Sequence, residues 1–344
     1  MRPSFIKNFT LEQLEDWVRS LGEKSFRARQ LFNHLYARNV VSWSQCTDLS
    51  LAFRKQLEFS AHLDALSVSG IDEAPDGARK YLFRLHDGNF IESVLIPDPP
   101  RCTLCVSSQV GCALGCKFCL TGSMGLKRNL ETAEIVDQVC HALRDPVLGN
   151  QVNSLVFMGM GEPLANYDEV LRAIRIITDS NGLMFSHRRV TLSTVGLVPL
   201  MGRLGSETPV NLAVSVHAAD DELRNELMPI NRKYPLSELM RACREYPLAP
   251  RKRITFEYIL LDGVNDSPKQ AKDLVRLLEG ARAKVNLIPF NPHPGSVYRT
   301  PREERVLDFQ DVLRKANLTA IIRKSRGNEI SAACGQLAAI GAGN

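Results

Sequence analysis

Three cysteines lie close together in one glycine-rich stretch of the chain. Cys112, Cys116 and Cys119 follow the spacing C-x3-C-x2-C, and no fourth Cys or His comes in the next eighteen residues. Structural zinc sites need four ligands and commonly use C-x2-C pairs, so a zinc site would be incomplete here. Three thiolates can instead hold a [4Fe–4S] cluster and leave one iron open for a small molecule. Packing cysteines and zinc ligands remain the alternatives.

Polar residues also follow several apolar runs, where strands of a parallel sheet would end. Gly161 and Glu162 come after the apolar run 154–158. Glycine lets a ligand approach the backbone closely, and a carboxylate can pair with an ammonium group. The other members of the set are Ser193, Ser215, Val216, His217 and Asn291. Each alone is compatible with an ordinary strand end, and only the set together with the cysteines predicts a ligand site.

The composition is that of a globular protein, with 44% hydrophobic and 24% charged residues in a chain of 344. No run of eighteen apolar residues predicts a membrane span, and the N-terminus lacks the apolar segment of a secretion signal. Nine cysteines, an odd number, argue against a disulfide framework and favour metal or catalytic roles. We expect a cytoplasmic protein with no membrane association.

Short basic clusters recur although the net charge is only +5. They are Arg188-Arg189, Arg232-Lys233, Arg251-Lys252-Arg253 and Arg323-Lys324-Ser-Arg326. Most are expected near strand or loop ends, where they could follow a phosphate backbone. For any single cluster, the sequence favours an ordinary solvated surface.

Two small units precede the cysteines. Thr10 and Gln13 predict a capping box that opens a first helix, and further helices are predicted from Ser25 and from Asp48. Alternating strands on either side of Asp87-Gly88 then predict a β-hairpin. We divide the chain into a helical N-terminal accessory domain over 1–62, a hairpin extension over 63–101 and a catalytic core over 102–344.

From about residue 103, apolar strand-like runs alternate with helical patterns. This alternation predicts parallel strands joined by crossover helices. About six such units are too few for a closed eight-unit barrel. The fold class is therefore α/β, with a partial barrel whose ligand site lies at the carboxyl ends of the strands, where the polar residues described above fall.

Together these motifs resemble the RlmN/Cfr family of radical S-adenosylmethionine (SAM) RNA methyltransferases, over about residues 5–340. The resemblance is carried by Leu104-Cys105 leading into Cys112, Phe118 before Cys119, Met158-Gly-Met-Gly-Glu162-Pro163, Ser215-Val-His217-Ala and Ala333-Cys334-Gly335-Gln336-Leu337. It implies a TIM-like (β/α)6 partial barrel and a [4Fe–4S] cluster on the three cysteines. It also implies two SAM molecules per turnover, contacted by Gly161, Glu162, Ser193, Ser215, Val216, His217 and Asn291.

The resemblance also implies roles for Cys334, Cys105 and Glu92. Cys334 would accept a methyl group from one SAM, and a radical from a second SAM would convert it to a methylene that adds to the adenine. Glu92 would remove the ring proton, and Cys105 would release the product by forming a disulfide with Cys334. The sequence alone favours a different interpretation of Glu92, as a surface residue on an exposed face of its strand. The remaining cysteines, Cys46, Cys102, Cys140 and Cys243, are read as buried apolar residues.

The expected reaction is methylation of adenosine C2 in 23S rRNA, at the peptidyl-transferase centre, and in some tRNAs. A flavodoxin or ferredoxin would supply electrons, and the chain would act as a monomer. Methylation at C8, as in Cfr, shares every motif quoted. The three clustered cysteines are also compatible with a radical SAM enzyme that has a non-RNA substrate and with a simple iron–sulfur electron carrier. Neither of these two classes of protein requires Cys105 and Cys334.

Overall fold

Three helices form the first unit of the chain, which a computed structural model describes from residue 4 to residue 339. They are α1 (Leu11–Ser20), α2 (Phe26–Phe32) and α3 (Leu51–Ser60), and a π-helical turn over Asn33–Ala37 extends α2. The predicted capping box at Thr10 and Gln13 is confirmed, since each side chain bonds the other residue's backbone amide. Strands β1 (Ser4–Phe5) and β2 (Ala61–His62) pair in parallel and join the two ends of the unit.

A buried lysine fixes this unit to the rest of the molecule. Lys7 is 1% exposed, and its ammonium group lies 3.0 Å from the Asp64 carboxylate and pairs with Asp137. A buried charge is tolerated only when it is paired in this way. The pairing therefore holds the N-terminal unit against the helix that carries Asp137.

Three antiparallel strands follow, namely β3 (Leu66–Glu73), β4 (Arg79–Leu85) and β5 (Phe90–Asp98). The hairpin predicted at Asp87-Gly88 joins β4 to β5, with Gly88 in the left-handed region. Strand β5 also pairs with β6 (Arg101–Cys105), and Val94 lies opposite Cys105. The hairpin extension is thus hydrogen-bonded directly to the first strand of the core.

The core is a sheet of seven parallel strands with helices on its outer side, which confirms the predicted partial barrel. After β6 comes a small hairpin of β7 (Gln109–Cys112), the short helix α4 (Leu120–Ser123) and β8 (Gly125–Asn129). The remaining strands are β9 (Ser154–Phe157), β10 (Val190–Thr194), β11 (Asn211–Ser215), β12 (Ile254–Leu260), β13 (Ala283–Pro289) and β14 (Ala320–Ile322). Their crossover helices are α5 (Thr132–Leu143), α6 (Tyr167–Thr178), α7 (Val198–Glu207), α8 (Asp221–Leu227), α9 (Leu236–Glu245), α10 (Pro268–Leu277) and α11 (Glu303–Lys315).

The strand order is β6-β9-β10-β11-β12-β13-β14, with every neighbouring pair parallel. All seven residues of β12 are buried, as expected for a strand covered on both faces. Parallel register brings all the carboxyl ends to one edge, and residues after those ends face one another there. Within residues 4–339, no helix has the length and apolar character needed to cross a membrane.

Candidate active site

The loop that carries Cys112, Cys116 and Cys119, called the cysteine loop, connects β7 to β8 at the carboxyl edge of the barrel. Gly111 has φ +76°, and a Cβ placed on it would lie 1.9 Å from the carbonyl oxygen of Gly125. Only glycine fits there. Beyond it the loop is anchored by backbone hydrogen bonds, from Lys117 N to Leu227 O (3.0 Å) and from Leu120 N to Gly335 O (2.8 Å). The loop is therefore fixed to α8 and to the C-terminal segment.

The three thiols on this loop lie close to one another and are partly buried. Cys112, Cys116 and Cys119 are free and partly exposed. Burial raises the pKa of Cys112 to about 11, and burial together with neighbouring thiols raises the pKa values of Cys116 and Cys119. No group of three His, Cys, Asp or Glu side chains among residues 4–339 converges on one metal ion. Cys112, Cys116 and Cys119 nevertheless act on one another's pKa values, so they are neighbours, and thiolates are the usual ligands of an iron–sulfur cluster.

Two joined cavities lie beside the loop. The larger, of about 150 Å³, is lined by five of the residues predicted to contact SAM: Gly161, Glu162, Ser193, Ser215 and His217. The smaller, of about 90 Å³, is lined by Cys105 and Asn291. Cys119, Met158, Arg323 and Cys334 line both. The structure therefore brings most of the predicted residues together, whereas Val216, Cys112, Cys116 and Glu92 line neither cavity.

Glu162 presents a fixed carboxylate to the larger cavity. Its Oε1 accepts from Leu164 N (3.0 Å) and its Oε2 from Val195 N (2.9 Å). Burial raises the pKa of Glu162 to about 7, and these hydrogen bonds act in the opposite direction. Gly161 has φ +97°, and a Cβ there would approach Gln109 to 2.5 Å, so the turn requires glycine. The arrangement suits an ammonium group placed against the carboxylate.

His217 is held as a neutral hydrogen-bond donor. Its Nδ1 accepts from Ile259 N (3.0 Å), so the ring proton is assigned to Nε2. Burial, with the charge of Arg224, lowers the pKa of His217 to about 3. The ring packs edge-on against Phe118, with centroids 4.7 Å apart.

Cys105 and Cys334 are free thiols that line the smaller cavity, and Cys334 also lines the larger one. Burial raises the pKa of Cys105 to about 12, the neighbouring Cys334 adds to that rise, and Arg323 opposes it. Asn291 donates through Nδ2 to the carbonyl oxygen of Cys334 (3.3 Å). Asn291 thus positions the loop that carries this thiol.

Glu92 is buried, which contradicts its interpretation as a surface residue, but it does not face either cavity. Its Oε2 accepts from Ala338 N (2.9 Å), and its Oε1 lies 3.2 Å from the Lys80 ammonium. Leu337, next to Ala338, lines the smaller cavity. In this arrangement Glu92 anchors the segment that follows Cys334.

Three charged side chains in or beside the cavities were not predicted to lie there. Arg224 is 1% exposed and donates to the carbonyl oxygens of Val195, Ser215 and Val216, so it clamps the ends of β10 and β11. Arg323 was expected to follow a phosphate backbone, but its side chain turns into the cavities. Glu257 lies within β12, and its carboxylate faces the larger cavity. A lone charge in the otherwise apolar run 254–261 was the available signal.

The basic clusters divide between the two edges of the barrel. Arg188-Arg189 and Arg251-Lys252-Arg253 precede β10 and β12, so they lie at the amino ends, away from the cavities. That they could follow a phosphate backbone stays a prediction, and any such backbone would lie at the edge opposite the cavities. Arg232-Lys233 follows α8, whose last residue bonds the cysteine loop, and this pair shares the face of the site.

Comparison with known proteins gives consistent matches. Residues 6–63 match the model for the ribosomal RNA large subunit methyltransferase N-terminal domain, and residues 106–275 match the radical SAM superfamily. A dual-specificity RNA methyltransferase RlmN from Syntrophobacter fumaroxidans is 68% identical over 98% of this chain and 99% of its own. RlmN from Geobacter sulfurreducens is 53% identical over 96% and 91%. The crystal structure of a radical SAM methyltransferase from Sphaerobacter thermophilus gives a TM-score of 0.94 at 45% identity, covering 98% of this chain and all of that one.

Proposed function

The chain belongs to the RlmN family of radical SAM RNA methyltransferases, and we propose that it methylates C2 of an adenosine in 23S rRNA and in some tRNAs. Enzymes of this family use a [4Fe–4S] cluster and SAM. The observation that carries the proposal is the placement of Cys105 and Cys334 in the smaller cavity, together with the position of Cys334 in the larger cavity beside Glu162, Ser193 and His217. A radical SAM enzyme of another kind, or an electron carrier, has no use for that pair of thiols.

Cys112, Cys116 and Cys119 would hold the cluster, which together with bound SAM supplies a 5′-deoxyadenosyl radical. Glu162 pairs with the methionine ammonium group, and its two backbone hydrogen bonds keep the carboxylate in place. His217 offers the Nε2 proton to the same cavity. The apolar side chains of Phe157, Ile259 and Ile288 exclude water from the reacting atoms.

Cys334 carries the methyl group between SAM and RNA. Its sulfur displaces the methyl group from one SAM, which leaves as S-adenosylhomocysteine, and loses its own proton. A hydrogen atom of the S-methyl group then passes to the 5′-deoxyadenosyl radical, the methylene radical bonds to adenine C2, and the adduct would return one electron to the cluster. Glu92 is proposed as the acceptor of the C2 proton, from its place beside the C-terminal segment. The Cys105 thiolate attacks the Cys334 sulfur and breaks its bond to the methylene carbon, which takes up a proton and leaves as the methyl group of the base. Two electrons must then reduce the disulfide between Cys105 and Cys334.

The mechanism is tested by replacing the methyl-carrying thiol. We expect Cys334→Ala to lose RNA methylation while the reduced, cluster-loaded enzyme still cleaves SAM, because the cluster and SAM residues are untouched. Cys46→Ala is the matched control, since Cys46 is buried in the N-terminal unit far from the cavities. Full methyl transfer by Cys334→Ala would contradict the mechanism.

We further propose that the enzyme acts in the cytoplasm as a monomer and takes electrons from a flavodoxin or ferredoxin. Support comes from the RNA substrates named for its relatives, and from the absence of a membrane-crossing helix within residues 4–339. Methylation at C8 would use the same thiols, but the relatives reported above carry the RlmN name.

A further inference from the structure

A buried carboxylate oxygen in the larger cavity has no hydrogen-bond partner among the described residues. Glu257 is 3% exposed, and its Oε1 accepts from Asn286 Nδ2 (2.9 Å). Its Oε2 is fully buried and receives no hydrogen bond from any group described in the structure. Buried polar atoms are rarely left without a partner, because each one costs free energy. Since Glu257 lines the cavity, the missing donor is expected to come from a bound molecule.

The guanidinium group of Arg323 lies next to this oxygen and has more N–H donors than its own contacts use. Arg323 Nη1 is 4.0 Å from Glu257 Oε2 and 3.7 Å from the sulfur of Met158. The first distance is too long for a direct hydrogen bond, and a guanidinium carries five N–H donors. Arg323 also lines the smaller cavity with Cys105 and Cys334. Thiol, guanidinium and carboxylate therefore follow one another along the wall.

This order matches one edge of adenine. On the Watson–Crick edge, C2 is followed by N1, which accepts a hydrogen bond, and then by the 6-amino group, which donates one. We propose that Arg323 and Glu257 form the subsite for the target adenine, with Arg323 donating to N1 and Glu257 Oε2 accepting from the 6-amino group. The subsite places C2 toward Cys334. This inference rests on the proposed function and adds the groups that select the base.

The position of the pair distinguishes the target base from the adenine of SAM. The methionine end of SAM is assigned to Glu162, next to Val195 at the end of β10. Arg323 instead follows β14 at the other side of the sheet and shares a cavity with both thiols. The base that receives the methylene must lie beside those thiols. Base discrimination by side chains with complementary donors and acceptors is the usual means in RNA recognition.

The test couples a change in the enzyme to a change in the base. Methylation is measured as kcat/KM for RNA with adenosine or purine riboside, which lacks the 6-amino group, at the target position. We expect Glu257→Gln and purine riboside each to lower kcat/KM roughly 10- to 100-fold, because each removes one charge-assisted hydrogen bond. The Glu257→Gln enzyme acting on the purine riboside RNA should have a kcat/KM little lower than either change gives alone. Losses that multiply would overturn the Glu257 assignment.

The role of Arg323 is tested independently by measuring Arg323→Gln on RNA that carries 1-deazaadenosine, which lacks N1, or 7-deazaadenosine, which lacks N7, at the target position. The loss of kcat/KM caused by Arg323→Gln should be much smaller when the base is already 1-deazaadenosine. The same dependence on 7-deazaadenosine would overturn the assignment, because it would place the opposite edge of the base in the subsite. The equilibrium affinity for SAM and the iron content should match the wild type in both variants, as in the exposed control Glu245→Gln. A SAM affinity lowered as much as kcat/KM would assign the pair to SAM. Wild-type methylation of the adenosine RNA keeps these outcomes separate from failure of the proposed function.

Discussion

At the scale of single residues, the site consists of polar groups whose protonation is set by burial. His217 stays neutral because its pKa is lowered to about 3, and Arg224 remains charged although burial lowers its pKa to about 10. Arg224 satisfies its donors with three carbonyl oxygens and the side chain of Asn231. Because its donors are used in this way, Arg224 holds the ends of β10 and β11 in place and does not compete with other residues for the ligand. Glu162 differs, since it titrates near neutrality.

The titration of Glu162 predicts that SAM binds more tightly as pH rises. Burial raises the pKa of Glu162 from 4.5 to about 7. Between about pH 5.5 and 7 the carboxyl loses its proton while the ligand ammonium group keeps its own. The affinity of the unreduced, reconstituted enzyme for SAM should therefore increase, by up to about tenfold per pH unit. Equilibrium binding measured across this range checks the slope.

Glu162→Gln is the matched variant for this measurement, because its side chain cannot titrate. It should bind SAM weakly and without the slope, and equal slopes in both proteins would contradict the role of Glu162. The sign for stability is opposite. The folded enzyme binds this proton more tightly than the unfolded chain does. Its contribution to the free energy of unfolding is therefore present below about pH 4.5 and is lost as pH rises through 7.

At the scale of elements, the hairpin of β7 and β8 positions the cluster ligands. Its register shifts between Val110 and Gly111, and Gly111 begins the turn toward Cys112. We predict that Gly111→Ala prevents cluster assembly, because the new Cβ would meet the Gly125 carbonyl. Iron and sulfide content after reconstitution measures this directly.

Gly202→Ala is the control for this substitution. Gly202 lies in α7 with open space around it, so alanine should raise the free energy of unfolding by about 0.5–1 kcal/mol and leave iron content unchanged. A Gly111→Ala enzyme with full iron and sulfide would show that the hairpin does not determine the geometry of the loop.

The sequence predicted the elements of the core well, because their apolar periods are long and their ends carry clear signals. The sequence patterns over 221–227 and 236–245 predict two helices, and α8 and α9 are observed over those residues. The hairpin of β7 and β8 was not predicted, since its strands are short and its turn contains the cysteine loop. The inward turn of Arg323 and the position of Glu257 beside it could not be predicted either. Both depend on which strands are neighbours in the barrel.

At the scale of the whole molecule, the two edges of the barrel differ in function. The carboxyl edge carries the cavities, the cysteine loop and the basic pair Arg232-Lys233, whereas Arg188-Arg189 lies at the amino edge. The hairpin extension lengthens the sheet beside β6, and Lys7 holds the N-terminal unit against α5. RNA that reaches Cys334 must therefore approach from the carboxyl edge.

This asymmetry predicts which charges contribute to RNA binding. Replacing Arg232 and Lys233 by alanine should weaken RNA binding and reduce the slope of log affinity against log salt by about 1.4, the value for two lost phosphate contacts on a single strand. Replacing Arg188 and Arg189 by alanine makes the same change in charge at the opposite edge. We expect little effect from that control, and equal losses in the two variants would contradict the asymmetry. RNA titrations at several salt concentrations compare the two.

The most direct test of the central claim is mass spectrometry of nucleosides from 23S rRNA and tRNA after anaerobic reaction with trideuteromethyl SAM and a reductant. Transfer through Cys334 predicts 2-methyladenosine that keeps two of the three deuteriums, because one is removed when the methylene forms. A product with all three deuteriums would contradict the cysteine-bound intermediate. Detection of 8-methyladenosine would contradict methylation at C2. Cleavage of SAM with unlabelled RNA would contradict the RNA substrate itself.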